Sequence, residues 1–489
     1  MHEAQSATER QSPGSLFVQF KRFALIAVLV FCAAFFSTIT RSIGALSIFW
    51  PANAILLGLL IRDPRRAVPW GWLSAAVAFI AVDLLAGRSL AMTLWLAAAN
   101  LTGVFIGFLL FRRLSEDDRR IRRPESVLHI FAICIAAAIA AALVGAGTVP
   151  FLFHRSLATG FFFWFTTELG NNILVLPVVL TAPNGLGAIW SERRSSERRS
   201  EIPQERSLKP SLPLLAFLAS IALAVAVGGP GAIAIPVPAL LWCALSYSLF
   251  STVSLMLPFS IWQIYTASLG SSLLFLPGDP LKQSMSIHIG IALLALGPLT
   301  VASTNAAKNE LLQRLDYAAS YDFLTGALAR GAFINRGNTL LTSSSSRKSS
   351  ATVLMLDIDH FKSVNDLHGH SAGDQILAAF AREIKSTLRS QDIFGRLGGE
   401  EFAVILPGLT LPESREIAER IRRKVEAGYF LIHEATVVNI TVSIGMAYQE
   451  GSSNQSLDSV LSISDRALYT AKTSGRNKVM YAEDASSAN

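Results

Sequence analysis

Ten apolar runs, each close to the length that spans a lipid bilayer, make up most of the stretch between Phe23 and Ser303. A helix needs about 20 mostly apolar residues to cross the hydrocarbon layer, and its backbone groups must be satisfied within the segment. This half of the 489-residue chain is therefore restricted to a polytopic bundle of about ten membrane helices, over residues 23–39, 45–61, 68–86, 90–111, 127–149, 157–180, 212–227, 233–250, 252–269 and 286–303. The second run, with Pro51 and Asn53, and the eighth, with Pro236 and Pro238, are the least regular. Composition agrees: only 16% of the residues are charged, against about 25% in soluble domains.

The net charge is +7, and the positive excess lies before residue 311. Arg62, Arg65 and Arg66 follow the second run, Arg112, Arg113, Arg119, Arg120, Arg122 and Arg123 the fourth, and Arg193, Arg194, Arg198, Arg199 and Arg206 the sixth. The odd-numbered connections hold little beyond Arg41, Arg88, Arg155 and Lys282. Arginine-rich short loops stay in the cytoplasm, so residues 1–22 form a cytoplasmic tail, and ten spans return the chain to the same side after Ser303. No small-residue cleavage site more persuasive than the next membrane span follows the first run, which is read as an uncleaved helix rather than a signal peptide. The charge thus encodes topology, and no basic stripe for nucleic acid is expected. Cys32, Cys134 and Cys243 lie inside apolar runs, without disulfide or zinc spacing.

Within the membrane half, residues 23–303, the polar side chains of interest are Asp83 and Glu168, the latter with Asn171 and Asn172. A carboxylate in a membrane span raises the question of a ligand or proton site; the plainer readings are an interfacial Asp83 beside Arg88 and a Glu168 hydrogen-bonded inside the bundle. The segments Phe49-Trp50-Pro51-Ala52-Asn53 and Trp164 with Glu168-Leu169-Gly170-Asn171-Asn172 resemble the MASE type of integral-membrane sensory module found ahead of bacterial signalling domains.

Residues 304–320 have helical character, with Leu311, Leu315 and Ala318 at coiled-coil spacing, which fits either a dimer seam or an extension of the last membrane helix. From 321 to 482, strand-like runs (352–358, 402–406, 437–446) alternate with helical patterns (374–388, 412–426, 461–473), giving an α/β (α+β) domain with one mixed sheet flanked by helices. Residues 343–350 read as a polar loop and 483–489 as a disordered tail.

Chemistry gathers at strand ends. Asp357-Ile358-Asp359-His360-Phe361-Lys362 places carboxylates where a strand turns into a helix, and Gly398-Gly399-Glu400-Glu401 forms a tight turn before two acids. Glycine permits positive φ and close backbone approach, and carboxylates are hard oxygen ligands suited to Mg²⁺. Read alone, such a turn is an ordinary solvated hairpin. Its surroundings resemble the GGDEF family of diguanylate cyclases, whose domain is palm-like. The signature stands here as Gly398-Gly399-Glu400-Glu401-Phe402, preceded by Asp322-Phe323-Leu324-Thr325-Gly326, by the Asp357 to Lys362 stretch with Asn365-Asp366, and by Gly369-His370 and Gly373-Asp374. Downstream of it stand Ala467-Leu468-Tyr469, Ala471-Lys472 and Gly475-Arg476-Asn477. One departure is Ala327-Leu328-Ala329-Arg330, where an Asn commonly precedes the Arg.

The resemblance implies condensation of two GTP into cyclic di-GMP and pyrophosphate by a homodimer at the bacterial inner membrane, with lipid around its spans. Asp357, Glu401 and the Ile358 carbonyl are then expected to hold two Mg²⁺, with Mn²⁺ an alternative, and Glu400 to add a ligand or help deprotonate the 3′-hydroxyl. Asn365 and a buried Asp374 would read guanine, while Lys472, Arg476 and the amides at His360 and Phe361 would hold phosphates. Arg389 and Asp392, with five residues separating Asp392 from Gly398, match the family's product-inhibition site. Two other classes compete: a non-catalytic membrane receptor binding GTP or cyclic di-GMP, favoured where carboxylates or glycines are lost, and a transporter, for which no internal repeat is seen. No hydrolase motif stands after the last helix, so degradation of cyclic di-GMP is not expected.

Overall fold

The computed structural model describes residues 13–39, 47, 49–183, 211–228, 230–268, 279–347, 349–432, 436–450 and 455–482. Arg41, the arginines from 193 to 206, residues 1–12 and the tail after 482 lie outside the described residues. The chain divides into two compact units, Met1–Glu310 and Leu311–Asn489.

The first unit is all helical among the described residues. Its first eight α-helices are α1 (Pro13–Ile39), α2 (Ala52–Arg62), α3 (Pro69–Leu85), α4 (Leu90–Phe111), α5 (Glu116–Arg119), α6 (Pro124–Gly145), α7 (Thr148–Phe153) and α8 (Leu157–Thr181). Helices Leu212–Val227, Val237–Ser246, Leu249–Ser268 and Pro280–Ser320 come after them. Among the described residues four helices are long and apolar enough to cross a membrane: Leu90–Phe111, Pro124–Gly145, Leu157–Thr181 and Leu281–Ser320. Helix length therefore does not reach a count of ten. The expected span 45–61 contains α2, only 11 residues long and thus about 16 Å, because a proline at position 51 disfavours helix in the residues before it. The expected span 233–250 is a 3₁₀ turn, Pro230–Ala234, then the ten-residue helix Val237–Ser246.

Small residues let these helices touch: Gly103 of α4 faces Ala141 of α6, and Gly107 faces Leu57 of α2, as expected where packing replaces the hydrophobic effect between helices. Leu85, Leu128 and Leu143 point outward, each at least 66% exposed. Polar groups mark the two ends. Arg62, Arg119, Arg120, Arg122 and Thr181 line one cavity, so three arginine-side connections converge. Ser303 of the last helix donates to the carbonyls of Ile121 and Arg123, both at 2.9 Å. The helix that leads to the second unit thus leaves at the arginine-rich end. It runs unbroken from Pro280 to Ser320, which makes residues 304–320 an extension of the last membrane helix.

The second unit is built on strands β1 (Leu328–Ala329), β2 (Ala351–Ile358), β3 (Ile393–Gly398), β4 (Glu401–Pro407), β5 (Phe430–Ile432), β6 (Thr436–Val438), β7 (Val442–Gln449) and β8 (Val479–Tyr481). Six of them form a mixed sheet in the order β1-β3-β4-β2-β7-β8, parallel at both edges and antiparallel in the middle. The expectation of a single sheet needs correction: β5 and β6 pair separately, and the expected strand 437–446 breaks into β6 and β7. The expected loop 343–350 is likewise shorter, since the helix Arg330–Arg347 extends into it.

Alternation on β2 serves two cores. Leu354, Leu356 and Ile358 join the core with Ile376, Phe380 and Ile421 from helices His370–Thr387 and Leu411–Glu426. Val353 and Met355 join Phe333, Val460 and Leu468 from Arg330–Arg347 and Leu457–Thr473. Both faces of β2 are covered, which explains its continuous burial. Helix Leu457–Thr473 lies directly on β7 because position 445 is glycine; a Cβ there would collide with the Ser464 carbonyl and the Leu468 amide. Backbone cannot yield as a side chain can, so Gly445→Ala is expected to destabilise this unit by about 1–3 kcal/mol, read as a lower thermal midpoint of the purified chain.

Candidate functional site

Register builds the site. Asp357, next to last in β2, lies directly opposite Glu401, the first residue of β4, and directly opposed residues of antiparallel strands share a face. That face also carries Val353 and Met355, so it is the one covered by helix Leu457–Thr473. Lys472, at the end of that helix, reaches Asp357, with Nζ 2.7 Å from Oδ2. The Asp357 side chain is nearly buried. Its carboxyl is raised to about 6: burial pushes it up most, the Lys472 ammonium pulls it down, and the charges of Glu400 and Glu401 push it up again.

This donor set suits Mg²⁺, an ion usually held by one or two carboxylates together with substrate phosphates. A lysine ammonium already sits where Asp357 concentrates negative charge. Among the described residues no three His, Cys, Asp or Glu side chains gather to hold a metal.

The turn between β3 and β4 is held from outside. Gly399 adopts φ 51°, in the left-handed region, and its carbonyl accepts from Arg396 Nε at 2.9 Å. The same guanidinium donates to both oxygens of Asp322, at 3.1 and 3.2 Å. Asp322 also accepts from the Thr325 amide at 2.9 Å and hydroxyl at 2.6 Å. Burial alone would raise the Asp322 carboxyl; the Thr325 hydrogen bonds and Arg396 outweigh it and hold it below the usual range. The opening motif therefore clamps the turn, and its missing Asn leaves this clamp intact. Sequence reasoning missed Arg396; its place two residues before the glycines was the available signal.

It also missed the role of Asp359. This buried carboxylate accepts from Thr441 Oγ1 and Ser443 Oγ, both at 2.7 Å, and from the Asn477 amide at 3.0 Å. Arg476 and Asn477 both have positive φ, 57° and 45°, a conformation that costs non-glycine residues energy. Asp359 thus holds the loop that presents Arg476.

His360, also at positive φ (57°), precedes the helix Phe361–His368, with Phe361 buried beneath. Asn365 packs on Gly373, where any Cβ would strike its side-chain oxygen. The expectation of a buried Asp374 is corrected: it is exposed, because Ile376, Leu377 and Phe380 take the inward face of helix His370–Thr387. Arg389 and Asp392 pair with each other, Nη2 to Oδ1 at 2.8 Å, and Arg389 also reaches the Pro407 carbonyl at 3.3 Å. They stand apart in sequence from the Asp357 cluster.

Comparison with known proteins follows this division. Residues 319–478 match the family model "Diguanylate cyclase, GGDEF domain", and residues 22–305 match MASE1. A probable diguanylate cyclase, DgcF of Escherichia coli O157:H7, is 30% identical over 475 residues, covering 93% of this chain and 93% of its own. The chain belongs to the MASE1-containing GGDEF diguanylate cyclases. Diguanylate cyclase DgcM of Escherichia coli K12 is 38% identical over 175 residues, 36% of this chain and 41% of its own. The GGDEF domain of DgcB from Caulobacter crescentus, crystallised with c-di-GMP, is 34% identical, with 34% of this chain and 96% of that chain covered at a TM-score of 0.32. This cyclase is an inner-membrane protein whose GGDEF domain faces the cytoplasm.

Because Asp359 has three donors converging on it, Asp359→Ala leaves them unpaired. The expected outcome is a loss of about 1–3 kcal/mol in thermal unfolding, as the loop containing Arg476 and Asn477 loosens.

Proposed function

We propose that two copies of this chain condense two GTP into cyclic di-GMP, each 3′-oxygen displacing pyrophosphate from the α-phosphorus of the other GTP. The observation that carries this reading is the pairing of Asp357 with Glu401 across β2 and β4, beside the Gly398-Gly399 turn. Asp357, Glu401 and the Ile358 carbonyl hold two Mg²⁺, with Glu400 as a further ligand or as the group that accepts the 3′-hydroxyl proton. Bound Mg²⁺ neutralises the triphosphate and lowers the pKa of the attacking hydroxyl. Lys472 moves from Asp357 to the triphosphate, Arg476 and the amides at His360 and Phe361 hold phosphate oxygens, and Asn365 with Asp374 accepts from the guanine edge. Because Asp374 is exposed, its selectivity for guanine depends on the base covering it.

Each protomer binds one GTP, so catalysis needs a two-fold arrangement of GGDEF domains. Exposed Leu311 and Leu315 on the helix Pro280–Ser320 support a pairing seam there. The membrane domain, residues 23–303, is the sensory input, the helix through residues 304–320 the connector, and residues 321–482 the catalytic domain. Ten passes remain our reading of the apolar runs, since an even count brings both ends of the membrane domain to the arginine-rich side.

The test is product analysis with GTP and Mg²⁺ on the detergent-solubilised chain. Wild type is expected to make cyclic di-GMP, and Glu401→Ala to lose at least about 100-fold in rate, as when a metal-assisted centre loses a ligand. GTP binding without product in wild-type dimers would favour the receptor reading. Arg389 and Asp392 form the product-inhibition site, where the guanidinium exchanges Asp392 for the phosphate and guanine of cyclic di-GMP. Arg389→Ala is expected to keep the initial rate while raising the inhibitory concentration of cyclic di-GMP about tenfold or more; unchanged inhibition would remove the site.

A further inference from the structure

Two segments 115 residues apart meet inside the membrane unit. Asn53, in the first turn of α2, donates through Nδ2 to Glu168 Oε2 at 2.9 Å and to Asn100 Oδ1 at 3.0 Å. The Trp50 indole N–H donates to Asn53 Oδ1 at 3.2 Å, and Asn172 Nδ2 donates to Glu168 Oε1 at 3.1 Å. Both protein groups that bind the carboxylate are neutral amides. Glu168 is 4% exposed, and among the described residues no lysine, arginine or histidine lies within ion-pair distance of it. Arg88, which lines the same cavity, is engaged by Asp83 at 3.0 Å. A buried carboxylate charge with only neutral partners is costly, and a cation that joins it recovers much of that cost.

The space for such a cation is present. Beside Glu168 lies a cavity of about 60 Å³ lined by Trp50, Asn100, Phe163, Trp164 and Thr167. Thr167 is itself 92% buried, and its hydroxyl has no hydrogen-bond partner. One turn along α8, on the face shared with Glu168, both amide atoms of buried Asn171 also lack partners. Buried polar atoms are rarely left in this state unless something binds them. At roughly 10–15 Å³ per water-sized site, the cavity takes a molecule of about four to six heavy atoms. The indole rings of Trp50 and Trp164 are the side chains that most favour a cation beside them.

We propose that this cavity is a binding site for a small organic cation of the primary-amine class, its ammonium paired with Glu168 and hydrogen-bonded to Thr167, with Trp50 and Trp164 as walls. Motif segments at the start of α2 and in the middle of α8 thus form one ligand site in the membrane domain. The inference stands on this unit alone and does not depend on cyclase chemistry.

The test uses three probes of four heavy atoms each, ethanolammonium, ethylene glycol and acetate, with the full-length chain in lipid nanodiscs at neutral pH. The readouts are thermal unfolding and calorimetric binding, neither of which requires turnover. Ethanolammonium at saturation is expected to raise the unfolding midpoint by ~2 °C or more, and the neutral and anionic probes to leave it unchanged. Glu168→Gln is expected to abolish the response, and Thr167→Val, which removes only an unpaired hydroxyl, to weaken it about tenfold. No shift with any probe, an equal shift with ethylene glycol, or a preference for acetate would overturn the proposal. So would a Glu168→Gln variant that keeps the cation response. If that variant does not fold, the probe series and Thr167→Val decide.

Discussion

The register of β2 between β4 and β7 is the constraint on which the catalytic half depends. Pairing Asp357 with Glu401 on one side and Ser443 on the other places two carboxylates on the face that helix Leu457–Thr473 covers, where Lys472 reaches Asp357. A slip of one residue would turn Asp357 to the opposite face. Burial of Leu354 and Leu356 on one face and Val353 and Met355 on the other makes such a slip prohibitive. The core thus sets the geometry of the site, and the site carries the electrostatic strain: Asp357 is buried, faces two other acids, and is compensated by one ammonium.

Around this pair, side chains far apart in sequence hold loops in conformations they would not keep alone. Arg396 links Asp322 to the carbonyl of Gly399, fixing the turn that presents Glu400 and Glu401. Asp359 performs the same service for the loop containing Arg476 and Asn477. The two clamps lie on either side of the Asp357–Lys472 pair, and neither touches that pair through its hydrogen bonds.

The membrane half obeys a different logic. In lipid the apolar surface drives no association between helices, so close packing at Gly103 and Gly107 and polar contacts within the bundle select the arrangement. The amide cluster around Glu168 joins α2, α4 and α8 in this way. The same cluster borders the cavity, so the groups that fix the packing are also the groups a ligand would perturb.

Much of this was legible in the chain itself. The apolar runs and the arginine asymmetry determined a membrane bundle with its exit on the basic side, and the spaced motifs from Asp322 to Asn477 determined the cyclase fold, because hydropathy and turn chemistry are local properties. Local pattern could not decide that α2 is half the length of a span, that 437–446 breaks into two strands, that Asp374 is exposed, or that Asp83 is neutralised by Arg88 while Glu168 has only amide partners. Nor could it assign Arg396 and Asp359, whose partners lie 74 and 118 residues away. Those outcomes depend on which distant segments the tertiary structure brings into hydrogen-bonding reach, and sequence periodicity carries no record of that distance.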